Sequence, residues 1–390
     1  MRYMLLTERY SVGTRLAVTG CVLAGAAACA AAQAATPSHP QAAPLSAARG
    51  AGPQAGQRAF VTARRVADRA SRQAVVPAAG RAVDASHPDH VIGQGTPAGC
   101  TSAAVVRAVA AGGVITFDCG PRPVKIRMTA TAKVVNTSHR VVLDGGGKVT
   151  LDGGGTTRIL YMNTCDAAQR HTTNRCWKQQ WPQLVVQNMA FTNAYSATVQ
   201  ARNASYGGGA IFDEGGQLKV VNSVFTGNRC YRSGPDLGGG AIRATGMDMS
   251  IPVYIVSDTF TGNSCSNGGA LSGLFANFAV YDSSFTGNKA IGTGANPAKR
   301  GTPGGGSGGA VYTDGAGYDL LIDGTTMRDN TAREGGGAIF FVVNYGGGRL
   351  TIRNSTLVGN TSGAFQNAPG IFDEVNSVVT QPSKSGSSVR

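Results

Sequence analysis

The stretch 207–360 delivers one short message five times, and that repetition restricts the fold more than any other feature of the chain. GGA followed by Ile, Leu or Val occurs at residues 208–211, 239–242, 268–271, 308–311 and 336–339. Some 14 to 18 residues after each aliphatic residue comes F-T-G-N or a relative of it, at 225–228, 260–263, 285–288, 327–330 and 357–360. Similar units 25 to 42 residues apart are each too small to bury a core alone. They must stack on one another, which is the mark of a solenoid.

The segments leading into the second motif align in register: LKVVNSVF (218–225), VYIVSDTF (253–260), FAVYDSSF (278–285), LLIDGTTM (320–327) and LTIRNSTL (350–357). LVVQNMAF (184–191) is an earlier, weaker copy. Apolar residues take the first, third and last positions, so each segment opens with the period of two that a strand has. The fifth position reads Asn188, Asn222, Ser257, Asp282, Gly324 and Asn354, a column of turn formers. Strand, polar bend, strand and Gly-rich turn, repeated, describe the coil of a parallel β-helix. No helical period competes, so the expected class is all-β, a single-domain solenoid.

GGA[ILV] paired with FxxN resembles the repeat of the polymorphic outer-membrane proteins. Upstream, Cys100-T-S-A-A, then G-G-V-I-T-F-D-Cys119-G and VVLDGGGKVTLDGGG, is similar to the start of secreted bacterial right-handed β-helix proteins of the pectate-lyase-like superfamily. The two resemblances cover residues 95–375. They imply a right-handed parallel β-helix of roughly ten coils at ~25 residues each. The matching residues are turn and core residues, so the resemblance bears on fold and not on activity.

Fifty-six glycines and 14% charged residues set the chain apart from an ordinary helical enzyme, and no strict triplet makes it collagen-like. The net charge is +14; residues 1–90 hold ten Lys/Arg and four Asp/Glu, leaving +8 for the rest. Such an excess suits an acidic polysaccharide or a cell-wall surface, and equally suits mere solubility. No basic helix or basic–aromatic cluster points to nucleic acid. Of eight cysteines, Cys21 and Cys29 fall in the expected export signal. The other six, Cys100, Cys119, Cys165, Cys176, Cys230 and Cys265, fit disulfides in an exported chain. Cys230 and Cys265 each follow the Asn of consecutive FTGN motifs by two residues. Stacked coils would set them about 4.8 Å apart, within disulfide reach. Proximity adds the pairs Cys100–Cys119 and Cys165–Cys176.

In chain order, residues 1–34 read as a signal peptide, with Arg2, Arg9 and Arg15 before an apolar run and Ala32-Gln33-Ala34 as a cleavage site. Lipid anchoring through Cys29 is an alternative to free secretion. No later run approaches the ~20 apolar residues of a membrane span. Residues 35–94 form an Ala/Pro-rich stretch expected to be a disordered linker or pro-region. Thr101 or Ser102 can cap a helix bearing Val105, Val106 and Val109 on one face and ending at Gly112-Gly113, a lid for the N-terminal end of the solenoid. The β-helix spans 95–375, and 376–390 is a polar tail. Residues 161–183 interrupt the repeat and hold both tryptophans, Trp177 and Trp181, beside the Cys165/Cys176 pair. Such a loop either binds a ligand or covers the core.

If the aliphatic residue of each GGA[ILV] points inward, Phe212, Arg243, Ser272, Tyr312 and Phe340 point out, as do Glu214 and Asp314 two residues on. A stripe of rings, an arginine and carboxylates is what a groove for an acidic glycan requires; the opposite alternation would make the rings core. As acid and base, Glu214 would pair with Asp314, or with Asp323 from the other strand column. Arg243 would serve a β-eliminating lyase. The hydrolase and lyase signatures of the pectate-lyase-like superfamily are absent, and no histidine follows His171. No zinc spacing, P-loop or calcium nonapeptide occurs, so neither metal nor cofactor is expected. The expectation is a secreted, monomeric β-helix protein that binds an extracellular, acidic polysaccharide and is a candidate for cleaving it. The alternative is a non-enzymatic, adhesin-like or structural surface protein.

Overall fold

The computed structural model describes residues 74–197, 207–295, 298–344 and 346–373, together with the backbone of 382–389. The signal peptide, Cys29 and residues 35–73 of the linker lie outside the described residues.

All strand ladders are parallel, apart from isolated bridges, and each strand pairs with its equivalent one coil away, as a β-helix requires. Sheet A stacks Gly113–Asp118, the first half of Arg140–Asp152, the first half of Gln183–Thr192, Gln217–Val221, Val253–Val256, Phe278–Tyr281, Asp319–Asp323 and Arg349–Arg353. Sheet B stacks the second strand of each coil, from Val124–Arg127 through Val224–Thr226, Thr259–Thr261, Ser284–Thr286 and Thr326–Arg328. Sheet C stacks Leu160–Asn163, Ile211–Glu214, Ile242–Thr245, Leu271–Leu274, Val311–Asp314, Ile339–Phe341 and Ile371–Asp373.

The bend between sheets A and B is built from the column of turn formers. Asn188, Asn222, Ser257, Asp282, Gly324 and Asn354 all adopt the left-handed conformation, with φ between 47° and 63°. Asn and Gly tolerate that region best, which is why the column is polar. Within the coils the rings of Phe191, Phe225, Phe260 and Phe285 stack face to face at 4.7–4.9 Å. The Asn of each F-T-G-N is fully buried. Asn263 donates Nδ2 to Asn288 Oδ1 at 2.9 Å and to the Phe225 carbonyl at 3.0 Å, and its Oδ1 accepts from the backbone of Asn228. Asn228, Asn288 and Asn330 repeat the arrangement. The ladder satisfies the turn's backbone groups where water cannot reach.

The first Gly of every GGA has φ between 50° and 77°. The second is pressed against the next coil: a Cβ on Gly240 would run into the carbonyl oxygen of Gly269. The motif is therefore a backbone requirement, with its Ala turned into the core.

All three expected disulfides form, with Cα–Cα separations of 5.9 Å (Cys100–Cys119), 5.0 Å (Cys165–Cys176) and 4.8 Å (Cys230–Cys265). Helix α1, Ser102–Ala111, starts at Thr101, whose side chain accepts from the Ala104 amide, and buries Val105 and Val109 in the core.

Both ends depart from the expected boundaries. Residues 74–94 are folded: His90–Gly93 pairs with Gly113–Asp118, and residues 74–85 lie on the outer face of sheet A. At the other end the backbone of Pro382–Val389 pairs in parallel with Ser355–Ser362, so the tail contributes a strand. In the linker, Val76, Val83 and Ala85 find an apolar surface, which composition alone does not reveal.

Candidate functional site

Sheet C fixes the direction of the predicted ring, arginine and carboxylate column that follows each GGA[ILV]. Ile211, Ile242, Leu271, Val311 and Ile339 enter the core, so Phe212, Arg243, Ser272, Tyr312 and Phe340 leave the coil on the outside, in register. The outward alternation is the one the groove reading requires.

The stripe is nevertheless closed to solvent. Phe212 and Tyr312 are 0% exposed, and Arg243 and Phe340 are 2%. The Gly-rich segments lie over it: the ideal Cβ of Gly207 falls 3.3 Å from Arg243 Cδ, and that of Gly268 falls 3.0 Å from Tyr312 Cβ. Tyr161 stacks on Phe212 at 5.5 Å, and Phe340 stacks between Tyr312 and Phe372 at 5.2 Å on each side. These rings form a second apolar layer outside the coil, and Phe212, Tyr312 and Phe340 are removed as sugar platforms. Arg243 donates Nη1 to Ser272 Oγ at 2.7 Å, while its Nε has no partner among the described residues. Burial lowers its pKa, and it has no path to a substrate.

The carboxylates are also apart. The register runs Glu214, Thr245, Leu274, Asp314. Three strand spacings make roughly 14 Å, beyond the ~5–9.5 Å that acid–base pairs use. Asp314 is held in structural work, accepting from Tyr312 at 2.9 Å, from Asn344 at 2.8 Å and from the Gly315 amide at 2.6 Å. Asp323 belongs to sheet A, where it binds Arg353 at 2.8 Å and Asn354 at 2.9 Å. The acid–base pairing of Glu214 with either residue is thus not assembled.

What the structure does assemble is an edge. Glu214 ends its strand beside the disulfide-stapled loop, accepting from Asn163 Nδ2 at 2.7 Å. Burial raises its pKa, opposed by the Asn163 hydrogen bond and the charge of Arg243. The loop is pinned by the Thr164 hydroxyl, which donates to the Cys176 carbonyl at 2.7 Å, and by the Tyr161 hydroxyl, which donates to Asp166 at 3.0 Å. Trp177 is 47% exposed, and an ideal Cβ on Gly246 would lie 3.5 Å from Trp177 Cβ and 3.9 Å from Glu214 Cγ. Trp181 is half-buried between His139 and His171, at 5.0 and 6.0 Å.

Two further exposed apolar side chains lie in the turns after the strands Ile242–Thr245 and Leu271–Leu274, Met249 at 36% and Phe275 at 45%. The Met247 amide donates to the Phe275 carbonyl, Asn277 donates to the Met249 carbonyl, Phe275 lies over Gly315 of the next coil, and Met249 reaches towards Gly317 two coils on. Sequence reading missed Met249 and Phe275. They fall in the variable turn after the third strand, where the repeat has no column to compare.

The sequence model of the Chlamydia polymorphic membrane protein repeat matches residues 282–314. These residues run from the polar bend Asp282 through F-T-G-N to the end of the strand Val311–Asp314. The repeat is shared over that segment. No curated protein matches the chain. No solved structure matches it either. No helix among the described residues is long and apolar enough to cross a membrane, and no group of three or more His, Cys, Asp or Glu among them could hold a metal ion. Three disulfides fit an oxidising, extracellular or surface location.

Proposed function

We propose that the protein is an exported β-helix that binds an extracellular polysaccharide without cleaving it, through the edge formed by Trp177, Met249 and Phe275 beside Glu214. The observation that carries this reading is that three large apolar side chains, Trp177 of the stapled loop beside Gly246 and Met249 and Phe275 of the turns after two adjacent strands of sheet C, are exposed along one edge of the coils. Apolar ring faces are what the CH faces of sugars stack against, and carboxyl and amide groups beside them accept and donate to hydroxyls. The burial of Arg243 and the separation of Glu214 from Asp314 argue against bond cleavage. Kinship with the secreted pectate-lyase-like proteins is part of this proposal, supported by the all-parallel coils. A second reading, an adhesin-like surface protein whose edge meets another protein, is favoured by the repeat matched at 282–314.

The test is retention of the full chain on insoluble pectin, alginate, glycosaminoglycan and plant cell-wall glycans, with reducing ends and unsaturated products followed in parallel. Retention with no product, lost about tenfold or more in Trp177→Ala, is expected. New reducing ends would overturn the non-catalytic assignment. Absence of retention on every glycan would leave the adhesin-like reading.

A further inference from the structure

Outward positions of a sheet facing water should be polar, yet sheet A carries Val142, Val185, Val221, Val256 and Tyr281 there, all buried. Residues 74–85 cover them. Ala74 and Val76 pack with Val221, Val256, Ala279 and Tyr281, and Val83 and Ala85 pack on Val114, Val142 and Val185. Gly80 lies against the Tyr254 ring, which a Cβ would approach to 3.1 Å. From Asp282, whose carboxyl meets the Ala74 amide, to Val114 the segment crosses six strands, whose five spacings of ~4.8 Å make about 24 Å. Twelve residues reach ~40 Å when extended, and the turn Ala78–Gly80 takes up the slack.

The way this segment is held is unlike the rest of the molecule. Among the described residues, the only backbone–backbone hydrogen bonds made by residues 74–88 are Gly80 to Pro77 and Arg81 to Ala78, both internal. The grip comes from side chains of the sheet. Gln187 closes on Val83 from both sides, accepting from its amide and donating to its carbonyl, each at 2.8 Å. Lys219 donates to the carbonyls of Ala79 at 3.1 Å and Arg81 at 2.7 Å. These groups recognise main chain, not any particular side chain. An amide that satisfies both backbone groups of one residue, between apolar patches, is a receptor for an extended polypeptide.

We propose that the outer face of sheet A is an extended-polypeptide-binding groove whose occupant is the chain's own segment 74–85, bound in cis as a displaceable strap. Without a ladder to break, the strap opens while the coils beneath stay paired. Opening bares an apolar face containing Tyr254 and Tyr281.

Two full-length variants test this from the two sides of the contact, Val83→Asp on the strap and Gln187→Ala in the groove. Trypsin cleavage after Arg81, an exposed residue whose carbonyl is clamped, should accelerate tenfold or more in both. Binding of the dye ANS should rise, and the thermal transition of the coils should stay within a few degrees of the parent. A fluorescent synthetic peptide of residues 74–86 should bind the Val83→Asp chain and leave the parent unlabelled, because the tethered strap competes at an effective concentration of about millimolar. In Gln187→Ala the same peptide should bind at least fivefold more weakly than in Val83→Asp. The proposal fails if strap release and unfolding of the coils occur as one transition, since the segment would then be an integral layer of the core. It fails equally if the opened Val83→Asp chain takes up no peptide, or if the parent binds the peptide as well as the variant does.

Discussion

Asp213 shows how far one residue can depart from its repeat. It occupies the inward position that Met162 and Ala244 hold in the adjacent coils, fully buried, and neither carboxyl oxygen has a partner among the described residues. Burial, and then the charge of Glu214, push its pKa well above the usual value of 3.8. The folded state therefore holds this proton more tightly than the unfolded chain. Its stabilising contribution is complete below about pH 4 and is lost as pH rises through the folded-state value. Asp213→Asn should match the parent near pH 4 and become the more stable of the two as pH rises towards 8. Denaturant titrations at several pH values would show this as a widening gap; a gap constant with pH would mean that Asp213 titrates normally. The period of two that points Glu214 outward turns its neighbour Asp213 inward, and the structure has Asp213 in the interior and Glu214 beside the loop.

Among the elements, the Asn ladder gives the sharpest test of what holds the coils in register. Asn288 donates to Asn330 and to the Phe260 carbonyl, and accepts from both the amide and the Nδ2 of Asn263. Asn288→Ala would strand several buried donors and acceptors at ~1–3 kcal/mol each, so a loss of about 3 kcal/mol or more is expected from chemical denaturation. Asn288→Asp should also destabilise, because a carboxylate cannot donate to Asn330 and the Phe260 carbonyl. The repeat announced this element through its F-T-G-N spelling. It did not announce the coverage of the sheet C stripe, because Gly207, Gly238 and Gly268 lie against Arg243, Ser272 and Tyr312 of the next coil, contacts between residues 34 to 44 apart in the chain.

At the scale of the molecule, stability should follow the ladders. The coils between Gln217 and Arg328 are paired on both sides, carry the Asn ladder and are cross-linked by Cys230–Cys265. Their amides should be the last to exchange with deuterium, and those of residues 74–88 should exchange at least about 100-fold faster through strap opening alone. Equal protection of strap and coils would contradict both the order of stability and the displaceable strap.

The sequence alone determined the coil. Period-two apolar spacing, left-handed turn formers at one column, glycines where backbones touch and cysteines at equivalent positions are local requirements, and repetition made each of them visible several times. What only the tertiary structure decided is which outward residues meet water. Phe212, Tyr312, Phe340 and Arg243 face out of the coil and are buried, whereas Trp177, Met249 and Phe275 are left exposed. Exposure depends on what the turns, the stapled loop and the N-terminal segment lie upon, and those contacts join residues far apart in the chain. Val83, for example, is clamped by Gln187 across 104 positions. No periodicity within a repeat encodes such a contact, since it is made once and not in every coil.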